Sequence, residues 1–245
     1  MILTLDRKRG HNPVKTKVIE QKYGSQLRKV AHQVGMIVTG FPPGEPDSAP
    51  RISQLLDAYS AMLKQWATST ASSMLMDVAL RDERGWAEMS KDMSRALRLE
   101  IRTAPTGRVM QELLAEQVGL IQSIPTDAAQ RVHQLTLAGI EDSTRASEIA
   151  KEIMRSGEVS KSKATLIART EVSRTASTLT QARAMHIGSP GYFWETSGDS
   201  DVRPSHKAMQ GQLVTWGDPP TLDGMTGHAG CFPNCRCWER VVIPD

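Results

Sequence analysis

The chain has 245 residues and a mass of 26.9 kDa, with 39% hydrophobic, 4% aromatic and 23% charged residues. A single core usually serves about 100–200 residues, so one or two domains are expected. The apolar content excludes a disordered chain, and apolar runs of only a few residues exclude a bilayer-spanning helix, which needs about 20. Net charge is +3 overall, but residues 1–30 carry eight basic residues against Asp6 and Glu20, a net +6 that leaves the remainder at −3. Arg7, Lys8, Arg9, Lys15 and Lys17 make the first segment a candidate contact for nucleic acid or an acidic protein surface, the alternative being a solvated tail. The opening order, a very short apolar run followed by charge, is the reverse of a secretory signal. The chain is expected to stay in the compartment where it is made.

Along the chain, residues 1–50 read as a basic, Pro-rich arm and linker, with a short apolar segment ending at Phe41 and four prolines between Pro42 and Pro50. From Ile52 the period changes. Ile52, Leu55, Leu56, Tyr59, Met62, Leu63 and Trp66 recur at helical spacing, and Trp86, Met89, Met93, Ala96 and Leu97 do so after Gly85. Val109, Leu113, Leu114, Val118 and Ile121 mark a further helical segment between Pro105 and Pro125. Residues 51–125 are therefore expected as a helical body. Thr126-Asp127 then reads as an N-cap for a helix carrying Val132 and Leu135. A helix near Ile149 and Ile153 is expected to stop by Gly157, and a long one is expected from a Ser160 cap to Gly188. The many methionines of this body read as core or interface filler.

Beyond Gly191 the composition is different. Six of the eleven aromatic residues and all three cysteines fall between Tyr192 and Trp238, among closely spaced glycines. Tyr192–Thr196, Leu213–Trp216 and Cys237–Ile243 read as short strands. The fold class expected is α+β: a mostly helical N-terminal body with a small C-terminal antiparallel-sheet module. Three short strands make a thin sheet that needs a packed helix or a metal to be stable.

Cys231-Phe-Pro-Asn-Cys235-Arg-Cys237 supplies an odd number of cysteines, and a disulfide would strand one thiol. Clustered thiolates repel unless a cation shares them, and Zn2+ takes four sulfur or nitrogen ligands. His206, Cys231, Cys235 and Cys237 are the favoured set for a structural zinc, because His206 would tie the first turn to the last strand. His228 is the alternative fourth ligand, and reduced cysteines packed as small hydrophobes remain open. Enzymatic readings lack parts. The H-x-E of zinc deaminases is missing at His228. Asp199, Asp201 and His206 resemble a metal-nuclease cluster, yet aspartates beside Gly and Ser usually serve turns. A phosphate-binding G-x-x-x-x-G-K-[ST] loop and a nucleophile elbow are both absent. No catalytic residue is assigned.

The order of fragments carries more information than any one of them. Ile167-Ala168-Arg169-Thr170-Glu171, Ala182-Arg183-Ala184, Tyr192, Trp194-Glu195-Thr196-Ser197, Asp201-Val202-Arg203-Pro204-Ser205-His206, Gly211, Gly230 and Cys235-Arg236-Cys237 together resemble the phage Mu F-like head morphogenesis family. The likeness covers roughly residues 130–243, within an expected domain at 126–245. It implies a minor head protein of a tailed bacteriophage, assembled in the host cytoplasm and carried in the virion at the portal vertex or capsid interior. The implied partners are the portal protein, the major capsid or scaffold protein and the genomic DNA, with no membrane. Where relatives run Pro-Gly or His-Pro before the C-x-C pair, this chain has Ala229-Gly230-Cys231-Phe232. Some relatives continue into a toxin domain, and none is expected here.

Residues 160–187 carry five basic residues against Glu171. Arg169 and Arg203 are expected to clamp Glu171, Asp199 or Asp201 through bidentate pairs, fixing helix to turn. The same charges would serve a DNA-facing surface. The leading expectation is a structural and interaction protein. Its competitor is a virion-borne metal-dependent nuclease or effector using Asp199, Asp201 and His206.

Overall fold

A computed structural model describes residues 3–4, 14–42, 48–141 and 146–244. In chain order they form β1 (Leu3–Thr4), α1 (Lys17–Thr39), α2 (Ser48–Met62), α3 (Lys64–Met89), a 3-10 turn at Ser90–Asp92, and α4 (Arg95–Thr103). There follow α5 (Thr106–Glu141), α6 (Ala146–Met154), α7 (Ser156–His186), β2 (Gly191–Glu195), α8 (Pro204–Ala208), β3 (Leu213–Thr215), β4 (Thr221–Leu222), β5 (Met225–Thr226) and β6 (Trp238–Ile243). The expected α+β class, helical first and antiparallel sheet last, is what the backbone forms.

Several helical expectations need correction. Residues 17–39, read as part of an extended arm, are a helix of 23 residues. Ile19, Tyr23, Leu27, Val30, Val34 and Val38 are buried at steps of three and four, while Lys17, Lys22 and Lys29 face solvent. The basic count concealed that stripe. The linker also ends sooner, since α2 starts at Ser48 and holds Pro50 in its first turn, where a missing N–H costs nothing. Finally, α5 runs unbroken through Pro125 and the expected cap at Thr126-Asp127.

The chain divides into two compact units. One comprises Met1–Glu20, Ser73–Leu113 and Arg169–Asp245, the other Gln21–Ser72 and Leu114–Ala168. The second is all helical in its described residues, and its core holds Leu27, Val34, Leu56, Ile121, Ile124 and Val132. Polar contacts there brace α5 on either side of its proline. Ser60 Oγ donates to the Gln122 carbonyl at 2.9 Å, and Gln122 Nε2 donates back to the Ser60 carbonyl at 3.1 Å. The Thr126 hydroxyl lies 3.0 Å from Ser60 Oγ and 3.1 Å from the Gln122 carbonyl. Asp127, instead of capping, pairs with Lys163, whose ammonium also reaches Ser123 Oγ at 2.7 Å. Tertiary bonds thus hold together the turn that proline weakens. The helix carrying Ile149 and Ile153 stops before Gly157, at Met154, and the next starts at Ser156, ahead of the expected Ser160 cap. In its first turn Gly157 has no side chain, and a Cβ there would stand 2.8 Å from the Gly35 Cα. It permits close approach of two helix backbones.

The first unit carries the sheet, in the order β1-β6-β2-β3, with all neighbours antiparallel. Tyr192 pairs with Val241 on one side and Val214 on the other. The strands match the three read from aromatic and β-branched residues. A small β4-β5 hairpin was not foreseen, although its Asp223-Gly224 pair, both at positive φ, is a strong hairpin signal. The core joins Tyr192, Trp194, Val214, Val241 and Ile243 of the sheet to Trp86, Ile101 and Ala184 of α3, α4 and α7. The sheet is therefore covered by helices, as its thinness demanded.

Gly157→Ala is expected to lower stability by about 1–3 kcal/mol, because backbone has to move to admit the methyl group. Gly119→Ala, on an exposed part of α5 with nothing within 4 Å, is expected to raise it by about 0.5–1 kcal/mol. Thermal melts of both variants check the pair.

Candidate metal centre

Three elements converge behind β2. Pro204 at the first position of α8 presets its backbone angle, and the helix buries His206 two residues on. The loop entering β6 brings Cys235 and Cys237 to the same place. Its path needs two left-handed residues, Gly230 at φ 83° and Asn234 at φ 55°. A Cβ at Gly230 would meet the Cys237 carbonyl oxygen and the Ser177 Cβ, both at 3.3 Å. The Asn234 N–H donates to Thr170 Oγ1 at 3.1 Å, fastening the loop to α7.

His206 Nδ1 lies 3.5 Å from both Cys235 Sγ and Cys237 Sγ, and the three donor atoms all fall within 4.8 Å of one another. All three residues are buried. The imidazole packs edge-on against Phe232 and Trp194, with ring centroids at 4.9 and 5.6 Å. The hydrogen bond from the Cys237 thiol, against the cost of burial and aided by the backbone N–H groups of Cys237 and Gly230, pulls the Cys235 thiol below its ordinary range. Cys237 moves up in return, as the donor in that bond and by burial. The pair thus loses one proton readily and resists losing the second, a charge problem that a shared cation removes. This buried group could hold a metal.

The expected fourth ligand is elsewhere. Cys231 Sγ sits 3.4 Å from Ser177 Oγ, and burial, reinforced by Glu239, pushes its thiol up to about 11. Ser177 also donates to the buried Glu239 carboxyl. Nor does His228 join the group. Its Nδ1 lies 3.2 Å from the Tyr192 hydroxyl, and that hydroxyl accepts from the Ala229 N–H at 3.1 Å. Gln181 Nε2 is 3.4 Å from the other ring nitrogen, and burial lowers the pKa of the imidazole.

The clamp expected of Arg169 and Arg203 on Glu171, Asp199 or Asp201 is formed by another arginine. Arg236, between the two site cysteines, holds both oxygens of Asp199 at 3.0 and 3.1 Å and reaches Asp201 at 3.4 Å. Asp199 also accepts from the Asp201 N–H at 3.1 Å, closing the turn. Arg203 instead donates to the Pro233 carbonyl at 2.7 Å and stands 4.0 Å from Asp223. Arg169 pairs with Glu20 at 3.2 Å, and Glu171 with Arg174 at 3.7 Å. The two aspartates of the nuclease reading therefore serve a turn and an ion pair. Lys15 and Lys17 are exposed, while Arg7, Lys8 and Arg9 lie outside the described residues.

The sequence reading missed the partner of Arg183. Its Nε donates to Asp82 at 2.6 Å, its NH1 to the Ile101 carbonyl at 2.8 Å, and the pair is almost wholly buried. Burial raises the Asp82 pKa although Arg183 opposes the shift. Nothing in the sequence linked positions 82 and 183.

The fold and site define a helical protein ending in a small sheet module built around a histidine and two cysteines. Residues 130–239 match the model of the family described as Phage Mu protein F like protein, so the resemblance read from the motifs holds over that segment. That family is one of structural phage head proteins. A protein of Haemophilus influenzae (strain ATCC 51907 / DSM 11121 / KW20 / Rd), described only as uncharacterized, is 28% identical over 204 residues, 81% of this chain and 44% of that protein. The chain thus spans less than half the length of this curated relative. No solved structure matches it. Among the described residues, no helix is long and apolar enough to cross a membrane.

Two outcomes follow from the buried groups. Arg183→Met should cost about 3–5 kcal/mol by leaving Asp82 buried and unpaired, and the double change with Asp82→Leu should restore most of it; denaturant melts measure both. Glu239 has its pKa raised to about 8, by burial above all. Its stabilising contribution is present below the unfolded value near 4.5 and is lost as pH rises through 8. Melts of chelator-treated protein from pH 5 to 9 should show that loss, and Glu239→Gln should remove it.

Proposed function

We propose that the protein is a minor head protein of a tailed bacteriophage, a virion component that acts at the portal or inner capsid during assembly. The observation that carries this reading is the convergence of the family motif. His206 and the Cys235/Cys237 pair, about thirty residues further on, meet at one buried point, and Arg183 anchors the helix that backs the module. A matched segment whose motif residues serve the architecture fits a structural protein. The ion pairing of Asp199 and Asp201 with Arg236 weighs against a nuclease at those residues.

The metal we assign is zinc. With Zn–S near 2.3 Å and Zn–N near 2.0–2.1 Å at tetrahedral angles, each N···S edge is about 3.5 Å. Both edges of the triad have that length. His206, Cys235 and Cys237 hold the ion, and its role is to fasten α8 to the entry of β6. Partners in this reading are the portal protein and the major capsid or scaffold protein, with genomic DNA as a further contact. Exposed Lys15 and Lys17 support a DNA contact by the N-terminal segment.

Metal analysis of purified protein should give one zinc per chain in the wild type and in Cys231→Ser, and almost none in Cys235→Ser/Cys237→Ser. Zinc at a hundredfold over its Kd adds about 2.7 kcal/mol, so the double variant should melt roughly 5–10 °C lower. Labelling the protein in purified particles tests the placement. Signal at one vertex supports the reading, and particles lacking the protein would overturn it.

A further inference from the structure

The triad forms part of the wall of a cavity of about 230 Å³, larger than a phosphate ion. Three more of its lining residues are Arg169, Arg203 and Arg236, against the one carboxylate of Asp201. Among the described residues, no fourth His, Cys, Asp or Glu atom joins the three donors within 4.8 Å. Cys231 is engaged with Ser177, and the rings packed on His206, Phe232 and Trp194, offer no ligand atom. A zinc ion with three protein donors completes its shell from outside. The cavity reaches all three donor residues, so an external ligand would arrive there.

The chemistry of that ligand follows from charge. Two thiolates and a neutral imidazole cancel the charge of a divalent ion, leaving the arginines to select what enters. Each guanidinium has five N–H donors. Arg169 spends Nε on Glu20, Arg203 spends NH2 on Pro233 with Asp223 4.0 Å from its Nε, and Arg236 holds Asp199 and reaches Asp201. Donors remain on all three for a further acceptor, and a planar fork of this kind suits the oxygens of phosphate or carboxylate. We propose that the metal keeps its fourth position for an oxyanion, which the three arginines bind in the cavity. The inference rests on the metal reading above and makes the site a ligand-binding one as well as a staple.

The full chain loaded with Co2+ in place of zinc tests it, because the visible bands of cobalt respond to a change in its fourth ligand. Adding inorganic phosphate should move those bands saturably, and Arg236→Gln and Arg169→Gln should each weaken the response about tenfold or more, as loss of a charge-assisted bond implies. Acetate acting in place of phosphate would support the proposal with a carboxylate as the ligand. Bands that neither anion moves, or that phosphate moves in both arginine variants as readily as in the wild type, overturn it. So does a Cys231→Ser variant with weaker sulfur-to-cobalt absorption, since Cys231 would then close the shell. Protein that takes up no cobalt would instead refute the metal reading itself.

Discussion

Burying two thiols and an imidazole within 4.8 Å of one another is costly unless their charges are shared, and the C-terminal module is arranged to meet that cost. Once Cys235 ionises, Cys237 is harder to ionise, so the protein alone keeps a proton between them. A divalent ion at this point would replace that proton and add His206 to the same bond set. The loop that delivers the cysteines is held by few backbone bonds of its own and by Thr170 and Arg203. It turns through left-handed Gly230 and Asn234 and has little regular structure before β6. Loss of the shared ion would release α8 and the start of β6 together.

Around this point, α7 acts as the beam to which the module is fastened. Thr170 holds the Asn234 N–H, Ser177 holds Glu239 of β6, and Arg183 holds Asp82 of α3. These contacts are polar and buried or partly buried, so each sets geometry more than it adds stability. The apolar burial of Tyr192, Trp194, Phe232 and Val241 supplies the main favourable energy.

Much of this was legible in the residues. The strands at 191–195, 213–215 and 238–243 follow from aromatic and β-branched runs set between glycines. His206 was distinguishable as the residue that would link a turn to the last strand. Cys231 stands outside the triad because nearness in sequence does not give direction. The Phe232-Pro233-Asn234 turn separates it from the other two cysteines, and its thiol faces Ser177. Helix α1 was hidden by its own charges, since a +6 segment reads as an arm until its buried stripe is counted. Pro125 reads as a helix end, yet α5 continues through it, braced by Ser60 on Gln122 from beyond the reach of any local rule. Arg236 was overlooked as a clamp because it lies between two ligand candidates.

Zinc X-ray absorption on the purified full-length chain addresses the central claim most directly. The account predicts a first shell of two sulfurs at about 2.3 Å with light nitrogen or oxygen neighbours at about 2.0–2.1 Å. A shell of three sulfurs, or protein that carries no zinc, would contradict it.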